Sequence, residues 1–215
     1  MKLYPVMLNI RGKLSVVVGG GEVAGRKVKD LLDSEARVKV ISPEISDEIR
    51  EMAARSMGGV ELVERRYREG DLEAAAMVFS ATDDPRVNHE VFLEADKKNI
   101  LINAVDDPPN CSFFVPSFIR KGDLLFALST GGASPAMAAR LRREIENHIP
   151  ENIDVMLDKL KTAKDILKTH KTFSGINSPA RGAIMKRIVT DDALLHQLSE
   201  CKDEDEIISF LLILV

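Results

Sequence analysis

Three short stretches carry residue types and spacings suited to holding anions or moving protons. The first, Gly19-Gly20-Gly21-Glu22-Val23-Ala24, fits the glycine-rich turn G-x-G-x-x-G/A. Gly19 permits a tight turn, Gly21 lets backbone approach a pyrophosphate, and Ala24 permits close packing of helix on strand. A helix opening at Glu22 and Val23 would aim its free amides and positive dipole end at that anion. The second stretch ends in Asn103-Ala104-Val105-Asp106, with Asp106 a candidate general acid/base and Asp107 the better turn residue before Pro108-Pro109. The third, Ser129-Thr130-Gly131-Gly132-Ala133-Ser134-Pro135, is a second glycine turn before a helix. Its hydroxyls and amides suit a carboxylate. Arg140, Arg142 and Arg143 follow on that helix, and Arg120-Lys121 lie nearby in sequence, so a polyanionic small substrate is expected there. For each arginine taken singly, a solvated helix face is the competing reading.

Those stretches need elements to hold them. Leu14–Val18 is a short β-branched apolar run, like a buried parallel strand. Val23–Leu32 has helical apolar spacing, Val38–Ile41 reads as a strand, Glu44–Met57 as a helix, and Val60–Val63 as a strand. Met77–Ala81, Val87–Lys98 and Ile100–Val105 follow as strand, helix and strand. Such alternation predicts an α/β fold, a Rossmann-like doubly wound parallel sheet. In such a sheet ligands lie beyond the carboxyl ends of the strands, near the switch in strand order. Gly19, Gly20 and Gly21, then Ala81, Thr82 and Asp83, then Asn103 converge on that edge. Ser42 and Pro43 end the second strand and are candidate contacts for the adenosine end. Glu44 is either a ribose ligand or a helix N-terminal acid. With no Arg or Lys directly after that strand to meet a 2′-phosphate, NAD is expected over NADP.

Beyond Pro109, Ser112–Pro116 and Leu124–Ser129 read as two strands joined through Arg120-Lys121-Gly122-Asp123, an antiparallel pair. Ser134 as N-cap and Pro135 at the first position open a helix. From Glu151 onward only helices are expected. The division is therefore residues 1–110 for NAD binding, 111–150 as a small α/β insert for substrate binding, and 151–215 as a helical C-terminal domain.

Composition narrows the classes. The 215 residues carry a net charge of −4 and 5% aromatics with no Trp. Nucleic acid, which needs basic surface or stacking platforms, is therefore not an expected partner. Cys111 and Cys201 are far apart, which fits a reducing cytoplasm and no disulfide framework. His89, His148, His170 and His196 are scattered, so no metal site is expected. Met1–Gly12 lacks the apolar core of a secretory signal. The apolar end, Ile207–Val215, is about half a membrane span and reads as a buried terminal helix or a subunit contact.

Taken together, Tyr4-Pro5-Val6, Val18–Ala24, Ala81-Thr82-Asp83-Asp84, Asn103–Asp106, Ser112-Phe113 with Pro116-Ser117, and Ser129–Pro135 resemble the siroheme synthase dehydrogenase module. That family comprises precorrin-2 dehydrogenases, some also sirohydrochlorin ferrochelatases. The match runs in register over residues 4–149 and more loosely beyond. It looks like the stand-alone form, ending where fused relatives continue into a methyltransferase. The resemblance implies a homodimer whose 111–150 inserts interlock as the dimerisation region, NAD on the glycine turn, and NAD-dependent oxidation of precorrin-2 to sirohydrochlorin. Bifunctional members also insert ferrous iron. It assigns Asp106 as the general acid/base, and the substrate's eight carboxylates suit Arg120, Arg140 and the Ser129–Gly132 turn. Thr130 stands where a serine-rich version of the turn has a second serine, and Cys111 has no role beyond packing. The alternatives are a chelatase with a vestigial NAD site, and a non-enzymatic nucleotide-sensing domain. The latter leaves the second glycine turn unexplained.

Overall fold

The computed structural model describes residues 2–215, which divide into two compact units. The first, Tyr4–Val115, is built on five strands: β1 (Leu14–Val18), β2 (Arg37–Ile41), β3 (Val60–Val63), β4 (Met77–Ser80) and β5 (Leu101–Ala104). Three helices join it, α1 (Glu22–Leu32), α2 (Asp47–Arg55) and α3 (Pro85–Lys98). All neighbouring strands run parallel in the order β3-β2-β1-β4-β5. The order reverses between β1 and β4, so a switch point lies at the carboxyl end of β1.

Alternation along each strand sends side chains to two faces. Val17, Val38, Val40, Met77 and Phe79 pack with Ala24, Val28 and Leu31 of α1 and Ile49 of α2. Val16, Val18, Ile41, Val78 and Ile102 pack with Val91 and Ala95 of α3, and with Tyr67 and Leu72 from the β3–β4 connection. Helices cover both faces, which makes the sheet doubly wound as expected.

That connection is anchored by polar groups. Arg65 makes a two-pronged pair with Asp71 at 2.6 and 2.7 Å. The Tyr67 hydroxyl and the Gly70 N–H both donate to the buried Glu94 carboxylate, which also pairs with Lys98 at 2.9 Å. Burial alone would raise the Glu94 carboxyl; the donors around it outweigh that and hold it below the usual carboxylate range.

The second unit is built on Pro116–Val215. It contains an antiparallel hairpin, β6 (Ser117–Lys121) and β7 (Leu124–Leu128), followed by α4 (Pro135–Glu146), α5 (Ile153–Thr169), α6 (Ser178–Thr190), α7 (Asp192–Glu200) and α8 (Glu204–Leu212). Leu167 of α5, Ile188 of α6, Leu198 of α7, and Ile207 and Leu211 of α8 form its core. The apolar terminus is therefore a helix buried along one side, while Ile213 and Val215 are exposed. Among the described residues, no helix is long and apolar enough to cross a membrane.

Two expected elements shift. The first strand of the hairpin begins after Pro116, not at Ser112, and Arg120 and Lys121 lie in it instead of the turn. The N–H groups of Ser112 and Phe113 donate to the Ile102 carbonyl at 2.8 and 3.4 Å, and Ile102 N–H donates to Ser112 Oγ at 2.8 Å. These bonds tie 112–113 to β5 as irregular backbone. The tight turn falls at Gly122, with φ +54°. The second helix starts at Asp47 instead of Glu44, because Ser46 takes the extended N-cap conformation and its N–H donates to Gly20 O at 2.9 Å. Glu44 is thus a loop residue and not a helix N-terminal acid.

Candidate dinucleotide site at the carboxyl edge of the sheet

The glycine turn follows β1 at the switch point. Gly19 has φ +126°, and a Cβ there would lie 2.1 Å from the Ala81 carbonyl oxygen. A Cβ on Gly20 would lie 2.0 Å from the Glu44 carbonyl oxygen and 2.9 Å from the Ser42 side chain. Both glycines are required because neighbouring chain presses on them. Gly21 differs: it is the N-cap of α1, with φ −86°, and a Cβ there meets nothing within 4 Å. Packing does not demand glycine at 21, so a side chain there would occupy only space left open beside the first turn of α1. The first turn of a helix has N–H groups without intrahelical partners, which suits a pyrophosphate in that space. Ala24 is fully buried against the sheet, as the motif requires.

Residues from the neighbouring strand ends surround this turn. Ser42, largely buried, donates its N–H to Val63 O at 3.2 Å, and Pro43 follows it. Past β4, Thr82 Oγ1 accepts the Asp84 N–H at 3.1 Å, while Asp83 is exposed. Glu22 pairs with Arg26 one turn along α1 at 2.9 Å, and Val23 is half-buried. Gly19–Val23, Ser42, Pro43, Ala81, Thr82 and Asp83 are thereby gathered on one edge of one unit. Sequence reasoning overlooked Asn88 of α3, which bonds both Ser80 and Thr82. A polar residue one turn inside a helix was the only available signal.

Asn103 lies at the end of β5, register partner of Phe79 on β4. Its amide nitrogen donates to the Phe113 carbonyl at 3.1 Å, and the Phe113 ring packs edge-on against Phe79, centroids 5.3 Å apart. The following loop closes on itself. Asp107 N–H and the Cys111 thiol both donate to the Ala104 carbonyl, at 3.3 and 3.1 Å. Asn110 Nδ2 donates to the Asp107 carboxylate at 2.7 Å, so Asp107 does serve the turn. Burial pushes the Cys111 thiol up, keeping it a protonated donor, which gives this cysteine a structural task. Asp106 projects from the loop, exposed, with φ +61°. Glu35, Met57, Ala74 and Asn99 share this left-handed conformation, which Asp tolerates better than most residues, so it marks the tightness of the turn here.

The other unit holds the second glycine turn. Gly131 and Gly132 have φ +63° and +88°. Ser129 Oγ accepts the Gly131 N–H at 3.1 Å, and Thr130 Oγ1 accepts the Ser134 N–H at 3.2 Å. Ser134 caps α4 by accepting the Met137 N–H at 3.2 Å. The hydroxyls expected to face a ligand are thus engaged inside the turn. Arg140 and Arg142 each pair one turn along α4, with Glu144 and Glu146, both at 2.8 Å. Exposed pairs of this kind are weak, so Arg140 can exchange its partner for a ligand carboxylate. Arg120 on β6 lies over the Phe118 ring. Among the described residues, no group of three His, Cys, Asp or Glu side chains is placed to hold a metal ion.

Comparison with known proteins places these observations. The central segment of sirohaem biosynthesis proteins matches residues 122–148. Siroheme synthase of Pseudomonas paraeruginosa is 40% identical over 152 residues, 71% of this chain and 32% of that protein. Siroheme synthase of Photorhabdus laumondii is 37% identical over 156 residues, 73% of this chain and 33% of that protein. The chain therefore spans about a third of the length of the curated relatives it matches. A solved structure of SirC, a precorrin-2 dehydrogenase, superimposes with TM-score 0.78 at 25% identity, covering 99% of this chain and 98% of that one. The family described as "Putative NAD(P)-binding" matches residues 6–117, more than half the chain, and contains the whole five-stranded sheet. The chain belongs to this NAD(P)-binding family.

Proposed function

We propose that the chain is an NAD-dependent dehydrogenase that oxidises precorrin-2 to sirohydrochlorin in the cytoplasm, on the way to siroheme. The observation that carries this reading is the likeness to SirC over nearly the full length of both chains. Gly19–Val23 would hold the pyrophosphate, with Ser42 and Pro43 at the adenosine end and Ala81–Asp83 and Asn103 along the remaining edge. When bound, NAD supplies the acceptor for a hydride. The substrate loses two hydrogens in all, one with its electron pair and one as a proton. Asp106, beyond β5 on the same edge, takes up that proton as general base. Ser129–Gly132, Arg120 and Arg140 bind substrate carboxylates. A second reaction, insertion of ferrous iron as substrate, is favoured by the likeness to siroheme synthases. Asp106 would then receive protons from pyrrole nitrogens.

The protein acts as a homodimer joined through residues of about 110–150. Apolar Leu125, Phe126 and Met137 are exposed in this region, which is the support for a subunit contact. Light scattering at micromolar concentration should give the dimer mass; a monomer would refute this part. For the activity itself, precorrin-2 and NAD are incubated with the protein and absorbance is followed. NADH and sirohydrochlorin should appear together in equal amounts. Unchanged precorrin-2 with fully folded protein would overturn the dehydrogenase reading.

A further inference from the structure

Between β4 and α3 the chain turns through Ala81 and Thr82, and one side chain holds both ends of that turn. The fully buried Ser80 hydroxyl donates to Asn88 Oδ1 at 2.6 Å, and Asn88 Nδ2 donates to the Thr82 carbonyl at 2.9 Å. The amide orientation follows from chemistry: a carbonyl oxygen only accepts, so the nitrogen must face Thr82. The two bonds straddle Ala81. Its carbonyl makes the close approach that forbids a side chain on Gly19. The sheet fixes this strand just upstream, where Ala81 N–H donates to Val18 O and Val105 N–H donates to Ser80 O. Helix α3 reaches back to the Ala81–Thr82 turn through the Asn88 amide.

We infer that Asn88 is a positioning residue for the dinucleotide: it holds the Ala81–Thr82 backbone at the separation from Gly19–Gly21 that admits the cofactor. This rests on the NAD reading above. Asn88 acts through Ala81 and Thr82, so its loss loosens one wall of the site without weakening α3, where alanine is the better helix former.

The test compares wild type with Asn88→Ala and Ser80→Ala. NAD affinity is measured by calorimetry, melting without ligand, and KM separately for NAD and for precorrin-2. Asn88→Ala should raise the NAD Kd and KM about tenfold, the effect of roughly two lost hydrogen bonds. Its KM for precorrin-2 should stay near wild type, while its ligand-free melting should fall by a few degrees because the buried Ser80 hydroxyl loses its acceptor. Ser80→Ala, which keeps the bond to Thr82, should raise the NAD Kd about threefold. Wild-type NAD affinity in a folded Asn88→Ala protein would overturn the positioning role. If that variant does not fold, unchanged affinity in Ser80→Ala overturns it instead. Wild-type protein that binds no NAD would overturn the cofactor reading itself, a result distinguishable from the first two.

Discussion

The two glycine turns differ in what demands their glycines. Gly19 and Gly20 are pressed by backbone just past β4 and in the β2–α2 loop, whereas a Cβ on Gly132 would meet nothing within 4 Å and glycine is needed there only for the φ of +88°. The first turn is shaped by the surrounding sheet before any ligand arrives. The second is shaped from within, by Ser129, Thr130 and Ser134 bonding their own backbone. A rigid wall suits a cofactor that binds one way; a self-bonded loop can yield to a larger substrate with several carboxylates.

Alanine at the two turns should separate these causes. Gly19→Ala meets both a forbidden φ and a carbonyl 2.1 Å away. It should cost roughly 4 kcal/mol of stability, combining backbone strain with overpacking. Gly132→Ala meets strain alone and should cost about 1 kcal/mol. Denaturant unfolding gives both values, and equal costs would erase the distinction.

Asp106 belongs to neither turn, and its effect should be purely catalytic. Asparagine tolerates the left-handed conformation, so Asp106→Asn removes the charge while keeping the backbone. Turnover should fall about 100-fold or more, the usual worth of general base assistance, with NAD affinity unchanged. Asp107→Asn should stay active. Full turnover in Asp106→Asn would remove the assignment. If iron insertion is present, it should fall with the same substitution.

Discrimination between cofactors is a smaller effect. With no cation directly after β2, NADP should bind about tenfold worse than NAD, roughly 1.4 kcal/mol. Equal affinities by calorimetry would contradict this. Smallest is Thr130→Val, which deletes the hydroxyl that bonds Ser134 and should cost about 1 kcal/mol of stability. No loss would show that the second turn is not held from within.

The sequence made the first unit readable where local and global demands agree. Apolar runs such as Val16-Val17-Val18 and the glycines after them admit one arrangement, and β1 and β3 fall on the expected residues. Reading failed where side chains compete with the ladder. Ser112 and Phe113 look like a strand, yet they bond Ile102 and leave the hairpin to begin after Pro116. Asn88 was invisible because its partners, Ser80 and Thr82, meet it only once α3 folds back on the sheet. Asp106 was visible as a carboxylate at a strand end, but its left-handed backbone appears only when the loop closes through Cys111 and Ala104.

Gly21 separates binding from folding, since it alone in the first turn faces open space. Wild-type and Gly21→Val proteins are melted without ligand and then titrated with NAD by calorimetry. The variant should melt within a few degrees of wild type, its backbone being one any residue adopts, and should lose NAD affinity at least about thirtyfold, roughly 2 kcal/mol. Unchanged affinity in the folded variant would contradict a cradle in which the pyrophosphate lies against Gly21.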